Sequence, residues 1–419
     1  MTQESTDHLG RVRVAVTGMG VKSPAGNDLD TFWSTLQRAE ATAAARISRW
    51  EPPADLSVPI ACEVHDFDSE PYLGAKESRR TDRVAQLGFA AAVDALTQAG
   101  NVGADPARCG VVVGTGIGGL ITLEEQVTLC ADKGPTRVSP FLVPMMMANA
   151  TAALVGMQHG WTGPNLCIAT ACAAGTHAIG EAARLIRDGS SDVVLAGGAE
   201  SSITLTSIAA FGRMGALTGR TDDPTHASRP FDVDRDGFVM GEGAGFLVLE
   251  RWDKAVARGA TILGEVLGYG RNSDAHHITA PSPGGAGAAA CMQLALDDAG
   301  LASVAIGHVN AHGTSTPLND ASEAEAITKV FGESAPPVTS TKGVTGHLVG
   351  AAGAVEAVAT LLAIRDGVVP PTANHEQTDP QVTVDVVAGS VRTIGSKPVV
   401  SNSFGFGGHN GTLVLGGAS

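Results

Sequence analysis

The sequence lacks any apolar run long enough to cross a bilayer. Its best apolar helical stretch, residues 351–364, is too short for a span and carries the charged Glu356. The first dozen residues, MTQESTDHLGRV, are polar and offer no apolar core for a signal peptide. These two absences predict a soluble, cytoplasmic protein with no membrane partner.

Paired cysteines and an excess of basic residues are also absent. The six cysteines, at positions 62, 109, 130, 167, 172 and 291, form no CxxC pair, which argues against a disulfide framework or a zinc site. The sequence has only 28 Lys and Arg residues but 43 Asp and Glu residues, so its formal net charge is −15. This charge argues against nucleic acid as the main partner. It permits an acidic protein partner that meets a local basic patch.

The sequence does contain a recurring unit: a short β-branched run, a turn of small residues and usually a helical pattern. The unit occurs at 12–18, 110–119, 165–175 and 192–200, and again at 262–268, 306–316, 337–346 and 397–408. Such alternation predicts an α/β fold with mixed, largely parallel sheets covered by helices. Segments 165–186 and 338–364 follow the same order of strand, turn and helix. We therefore expect two similar halves, residues 1–255 and 256–419.

Three side chains with useful chemistry lie where strands of such sheets end, which is where their ligands bind. Cys172 opens a helix, where unpaired backbone N–H groups and the helix dipole favour a thiolate. His312 ends the strand-like run 308–311, and His347 follows the small-residue turn 341–346. Each of these residues, taken alone, could equally be a buried residue with only a structural role, and Cys167 within its strand is interpreted in that way. The equivalent positions of the three at strand ends favour a catalytic role. A metal site is disfavoured because a fourth ligand is missing.

Two glycine-rich segments have alternative interpretations. Residues 401–410, SNSFGFGGHN, form either a plain β-hairpin loop or a gate over a pocket, and the two aromatics favour the gate. Residues 114–119, GTGIGG, fit the GxGxxG dinucleotide pattern. That pattern also needs an acidic residue about 20 positions later, after a second strand. The sequence there reads KGPTRV, so no dinucleotide cofactor is predicted.

Several long motifs carry a family resemblance. They are TACAAG at 170–175, ASRPFDVDRDGFVMGEGAG at 227–245, NAHGTSTPLND at 310–320, STKGVTGHLVGAAGAVEA at 340–357 and NSFGFGG at 402–408. In these segments, and nearly end to end, the sequence resembles the elongating β-ketoacyl-[acyl carrier protein] synthases of type II fatty acid synthesis. The resemblance implies the thiolase fold, with mixed sheets layered between helices as α-β-α-β-α. It also implies a homodimer and no cofactor or metal.

The resemblance assigns roles to individual residues. Cys172 would accept the acyl group, and His312 and His347 would promote loss of CO₂ from a malonyl group. Lys342 would be the active-site lysine with Glu323 as its partner acid. The gate residue Phe406 would share an oxyanion hole with Cys172 through their backbone N–H groups. The acyl and pantetheine channels would be lined by Ile117, Phe211, Thr279, Thr314, Thr316 and Phe404.

A carrier protein is expected to dock on basic residues, for which the candidates are Lys76, Arg79, Arg80, Arg83, Lys133, Arg137 and Arg213. The chain departs from its relatives at His409, where many carry Thr, and at Gly215, where some carry an Arg that binds the carrier. Thiolases, initiating synthases and chain-length factors fit less well, because their motifs lack this Cys-His-His set. A ketosynthase subunit of a type II polyketide pathway, or a specialised or inhibitor-tolerant paralogue, remains an alternative.

Overall fold

Strands and helices alternate along most of the chain. The computed structural model describes residues 5–332 and 335–418. The strands of the first half are β1 (Val14–Lys22), β2 (Ala45–Arg46), β3 (Ile60–Ala61), β4 (Cys109–Gly114), β5 (Asn165–Ile168), β6 (Val193–Glu200) and β7 (Gly243–Arg251). The helices of this half are α1 (Leu29–Arg38), α2 (Glu70–Ser78), α3 (Arg83–Ala99), α4 (Leu120–Lys133), α5 (Leu142–Met146), α6 (Ala150–His159), α7 (Ala174–Arg187), α8 (Leu205–Arg213) and α9 (Trp252–Ala257).

Among the described residues, the second half has fewer helices than the first but the same number of strands. Its strands are β8 (Gly264–Ser273), β9 (His308–Asn310), β10 (Val338–Thr339), β11 (Val368–Val369), β12 (Arg392–Thr393), β13 (Val399–Gly405) and β14 (His409–Gly416). Its helices are α10 (Ala286–Ala299), α11 (Pro317–Phe331), α12 (Lys342–Thr345) and α13 (Ala352–Asp366). No helix among the described residues is long and apolar enough to span a membrane.

The two halves repeat one sheet topology. The strand order is β5-β4-β6-β7-β1 in the first half and β10-β9-β13-β14-β8 in the second. In both, the first three strands run parallel and the fourth runs antiparallel to its two neighbours. The sheets meet where Ala15 and Val16 of β1 pair with Glu265 and Gly264 of β8. This equivalence confirms the predicted duplication.

Helices cover both faces of the sheets. Central helices α7 and α13 pack against each other and against strands of both halves, and α13 is buried from Ala352 to Ile364. Outer helices α3 and α10 cover β1 and β8, respectively. A Cβ at Gly20 or Gly270 would lie only 2.0 or 2.1 Å from a helix carbonyl oxygen, so glycine permits both close contacts. The resulting layers are those of the predicted α-β-α-β-α thiolase fold.

Candidate active site

Cys172, His312 and His347 line one cavity of about 480 Å³. The Cys172 sulfur and one ring nitrogen of each histidine lie within 4.8 Å of one another. The two imidazole rings are nearly perpendicular, with centroids 5.4 Å apart. The topology explains this convergence, because Cys172 follows β5, His312 follows β9 and His347 follows β10, all beyond the C-terminal ends of parallel strands.

The nucleophile candidate lies in a short 3₁₀ turn, Ala171–Ala173, that leads directly into α7. Ala171 has a φ of 48°, a left-handed conformation that costs a non-glycine residue about 1–2 kcal/mol. Such strain is often found at functional sites. The backbone N–H groups of Phe406 and of Cys172 itself lie near the thiol and favour its ionised form. Both donors are therefore close to where the oxygen of a sulfur-bound acyl group would lie.

The thiol of Cys172 is not the thiolate that the helix position suggests. Burial raises its pKa to about 11, although the Phe406 N–H group and the Lys342 ammonium act in the opposite direction. The expectation of a lowered pKa is therefore wrong for the free enzyme, because desolvation outweighs the helix N-terminus. A nucleophilic attack by this sulfur would therefore require the thiol to lose its proton first or during the attack.

Both histidines are held in the neutral form. Burial lowers the pKa of His312 and of His347 well below 6.5, and the positive charge of Lys342 adds to this effect. The Nδ1 atom of each ring has no hydrogen-bond partner among the described residues. A neutral imidazole carries one N–H group, so each ring can donate one hydrogen bond into the cavity without acting as a strong acid.

The acid that pairs with Lys342 is Glu356, not Glu323. Lys342 Nζ donates to the Glu356 carboxylate and, at 2.6 Å, to the carbonyl oxygen of His312. Glu323 instead accepts hydrogen bonds at 2.8 Å from the backbone N–H groups of His312 and Gly313. The predicted Lys342–Glu323 pair is therefore wrong, although both acids support the His312 segment. The available signal was that Glu356 is the only charged residue within 351–364.

The predicted channel residues do meet at this cavity. Its lining includes Ile117, Phe211, Thr279, Thr314, Thr316 and Phe404, together with Phe406 and Glu323. The 114–119 loop is thus a wall of the pocket rather than a nucleotide cradle. Phe404 lies on β13, and Phe406 lies in the tight connection to β14, so the segment is both a β-hairpin and part of the cavity wall.

Sequence reasoning missed Glu200, which ends β6 and is fully buried. Its Oε2 atom accepts from the N–H groups of Gly116 at 2.6 Å and Gly350 at 3.1 Å. It therefore joins the pocket wall of the first half to the turn before α13 in the second. Burial raises the pKa of Glu200 to about 7, despite these hydrogen bonds. An acid at the end of the apolar strand VVLAGGAE was the signal available.

The basic residues predicted for docking have different environments. Arg83 is half-buried and its guanidinium is paired at 2.8 Å with the fully buried Glu242, so it is less free to bind a carrier than the exposed candidates are. The Arg80 guanidinium lies over the Phe141 ring, 4.6 Å from its centroid, but the residue is exposed. The other candidates, which are exposed, are Lys76, Arg79, Lys133, Arg137 and Arg213.

Among the described residues, the catalytic candidates also form the one cluster of three possible metal ligands. A thiol and two neutral imidazoles are chemically able to bind a soft metal, and a fourth protein ligand is not part of that cluster. The absence of a metal and of an organic cofactor therefore stays a prediction from the sequence.

A strand-end thiol, two neutral imidazoles and a duplicated five-layer fold define a condensing enzyme of the thiolase type. The model of the β-ketoacyl synthase N-terminal domain matches residues 11–255, and that of the C-terminal domain matches residues 263–376. A 3-oxoacyl-[acyl-carrier-protein] synthase 2 from Synechocystis is 47% identical over 97% of this chain and 99% of its own. The chain belongs to the β-ketoacyl synthase family, as the sequence predicted.

Solved structures agree with this assignment. A β-ketoacyl synthase from Burkholderia phymatum has a TM-score of 0.91 and 35% identity, covering 97% of this chain and 100% of its own. A type II polyketide ketosynthase, solved in complex with its acyl carrier protein, has a TM-score of 0.88 and 31% identity over 98% of this chain and 100% of its own. The thiolase fold and the predicted class of condensing acyltransferase are confirmed.

Proposed function

We propose that this enzyme elongates acyl chains held on an acyl carrier protein. It takes an acyl group onto Cys172 and condenses that group with malonyl-[acyl carrier protein], with loss of CO₂, to give 3-ketoacyl-[acyl carrier protein]. The observation that carries this proposal is the convergence of Cys172, His312 and His347 within 4.8 Å, beside the N–H group of Phe406.

Acyl transfer comes first. The Cys172 sulfur attacks the thioester carbonyl, and the N–H groups of Cys172 and Phe406 stabilise the oxyanion that forms. The carbon–sulfur bond to the carrier then breaks, and the carrier leaves as a free thiol with the proton that Cys172 gave up. The small residues around Cys172 leave room for the acyl group.

Decarboxylation and carbon–carbon bond formation follow. The malonyl carboxylate leaves as CO₂, and the electron pair is held as an enolate whose oxygen accepts N–H hydrogen bonds from His312 and His347. Neutral donors stabilise that oxygen without protonating the enolate carbon, which attacks the acyl carbonyl. Cys172 leaves as a thiolate and takes one proton, which its raised pKa favours.

An assay of the purified protein with carrier-bound substrates tests this proposal directly. Incubation with acyl carrier protein bearing an acyl group should add that acyl mass to Cys172, and malonyl carrier protein should then yield the 3-ketoacyl product. Elongation by the chain alone supports a fatty acid synthase of this type. Activity only after a second, different subunit is added would instead indicate a polyketide ketosynthase subunit. Absence of acyl-Cys172 under both conditions would refute the proposal.

We also propose that the carrier protein docks on the exposed cluster Lys76, Arg79 and Arg80. Charge complementarity supports this site, because interfaces use such patches to steer acidic partners. The double change Arg79→Glu and Arg80→Glu should raise the KM for carrier-bound substrate, most strongly at low ionic strength. Arg184→Glu is a control for charge reversal at another exposed position, since Arg184 is exposed near the end of α7 opposite Cys172. Equal KM values for both variants would place docking elsewhere.

A homodimer is part of the proposal. Strand β5 lies at the outer edge of its sheet, and Leu166 on it is 45% exposed. An uncovered strand edge with an apolar side chain favours pairing with another chain. Sedimentation of the wild type and of Leu166→Lys tests this arrangement, and dimers of equal stability would exclude the β5 edge. The cytoplasmic location and the division at residues 255/256 stay predictions from the sequence.

A further inference from the structure

The two N–H donors that meet at Cys172 come from separate segments of the chain. One belongs to the turn after β5, and the other, from Phe406, belongs to the connection between β13 and β14. The gap between these segments is small, because a Cβ at Gly405 would lie 3.0 Å from the Cys172 nitrogen. An oxyanion hole works only when its donors are fixed before the reaction. A contact between the two segments must therefore fix the position of one N–H group relative to the other.

His177 on α7 connects both segments. Its Nδ1 atom lies 2.7 Å from the hydroxyl of Thr170, two residues before Cys172. Its Nε2 atom lies 3.0 Å from the backbone carbonyl oxygen of Asn410, at the start of β14. A carbonyl can only accept, so Nε2 carries the proton and Nδ1 accepts from the Thr170 hydroxyl. The geometry thus fixes the tautomer.

The imidazole of His177 has little freedom to move. The residue is 7% exposed, and a Cβ at Gly411 would lie 2.9 Å from its ring. The Tyr269 ring packs edge-on, with centroids 6.2 Å apart. Burial lowers the pKa of His177, so the ring stays neutral and retains both hydrogen bonds. A rigid ring with two directed bonds is suited to setting a distance between backbones.

We propose that His177 is a positioning residue for the oxyanion hole, which sets the Cys172 N–H group against that of Phe406. This proposal rests on the proposed function, since it concerns the acyl-transfer step. Removal of one oxyanion donor typically costs about 10²–10³ in rate. Displacement of a donor that remains present should cost less, so we expect loss of His177 to slow acyl transfer about 10-fold to 100-fold.

The test separates the two half-reactions. Acylation of Cys172 by acyl carrier protein is followed in a single turnover, and CO₂ release from malonyl carrier protein is followed with enzyme that was fully acylated beforehand. His177→Leu should slow acylation about 10-fold to 100-fold. Its CO₂ release should stay within about 2-fold of wild type, because the His312 and His347 donors are untouched.

Three further variants make the test specific. His177→Gln can still accept from Thr170 and donate to Asn410, so it should recover most of the acylation rate. Thr170→Val keeps the side-chain shape, removes one bond and should slow acylation, and it carries the test alone if His177→Leu fails to fold. His308→Leu is the matched control, because His308 is another buried histidine paired with a threonine hydroxyl, that of Thr339 at 2.8 Å.

The outcomes are distinct. Equal losses in both half-reactions, or losses in His308→Leu that match those in His177→Leu, would mean that His177 is only structural and would overturn the proposal. Unchanged acylation in Thr170→Val and His177→Leu would overturn it as well. Failure of the wild-type enzyme to acylate Cys172 would instead refute the proposed function.

Discussion

Replacing Lys342 with methionine removes one partner of the buried ion pair behind His312. Lys342 and Glu356 are 1% and 2% exposed, so neither charge is solvated by bulk water. Breaking such a pair typically costs about 3–5 kcal/mol, because the remaining charge is left uncompensated. Burial already raises the pKa of Glu356, so its carboxyl group will take up a proton in the variant. At acidic pH, where this carboxyl group is neutral, we therefore expect a loss no larger than the lower end of that range, about 3 kcal/mol.

The sign of the pH dependence follows from this protonation. In Lys342→Met the folded-state pKa of Glu356 lies further above its unfolded value than in the wild type. The stability that neutral Glu356 contributes is fully present below the pKa of this group in the unfolded chain. It is lost as the pH rises through the pKa of Glu356 in the folded protein. The variant should thus fall further behind the wild type in mildly alkaline buffer. Lys342→Met with Glu356→Leu should recover much of this loss, because no buried charge remains.

The same change should alter the chemistry. Lys342 lowers the pKa of both His312 and His347. Without its charge these values move up toward the ordinary one, and protonated imidazoles appear at a higher pH. The acidic limb of the CO₂-release profile should therefore shift to higher pH in Lys342→Met. Protonated rings would also be able to quench the enolate carbon, which uncouples CO₂ release from condensation.

Urea unfolding at several pH values and CO₂ release from malonyl carrier protein measure these effects. Glu265→Gln is a control for the loss of another buried ion pair, since Glu265 pairs with Arg13 at the sheet junction. A stability equal to that of wild type, together with an unmoved acidic limb, would refute the reasoning about this pair.

Three further predictions concern single residues in the pocket or directly behind its wall. Cys172→Ala should abolish acyl transfer while Cys167→Ala affects stability only, and radiolabel on the Cys172→Ala protein would contradict the assignment. Ile117→Phe should fill the acyl pocket at a cost of about 1–3 kcal/mol for acyl groups that reach it. Elongation assays should then show losses for long acyl groups only, and equal losses for short ones would mean that Ile117 does not line the tunnel. Glu200→Gln replaces a carboxyl group whose pKa rises from 4.5 to about 7 on folding with a neutral amide. That rise corresponds to about 3 kcal/mol of folding free energy that the wild type loses when Glu200 ionises. Wild type should therefore lose stability relative to this variant as the pH rises from below 4.5 through about 7, and parallel unfolding curves would argue against that pKa.

The local sequence determined much of this protein. Strand, turn and helix patterns specify each unit because they depend on neighbouring residues, and the repeat of segment 165–186 in 338–364 revealed the duplication. Turn residues at strand ends placed Cys172, His312 and His347 in one site, because the ends of parallel strands converge. Family motifs then supplied the channel residues, which do line the cavity.

Contacts between distant segments were decided only by the tertiary structure. Glu323 and Glu356 are both acids at plausible distances along the chain from Lys342, and only the packing of α13 selects Glu356. Spacing alone cannot reveal that Arg83 forms an ion pair with Glu242, which lies 159 positions away along the chain. Burial likewise raises the pKa of Cys172, although its position at the start of a helix would lower it. Desolvation depends on every group packed around the thiol, and the sequence does not show which groups those are. A sequence pattern thus determines which groups are present and which elements carry them, whereas the surrounding fold determines their partners and their charge.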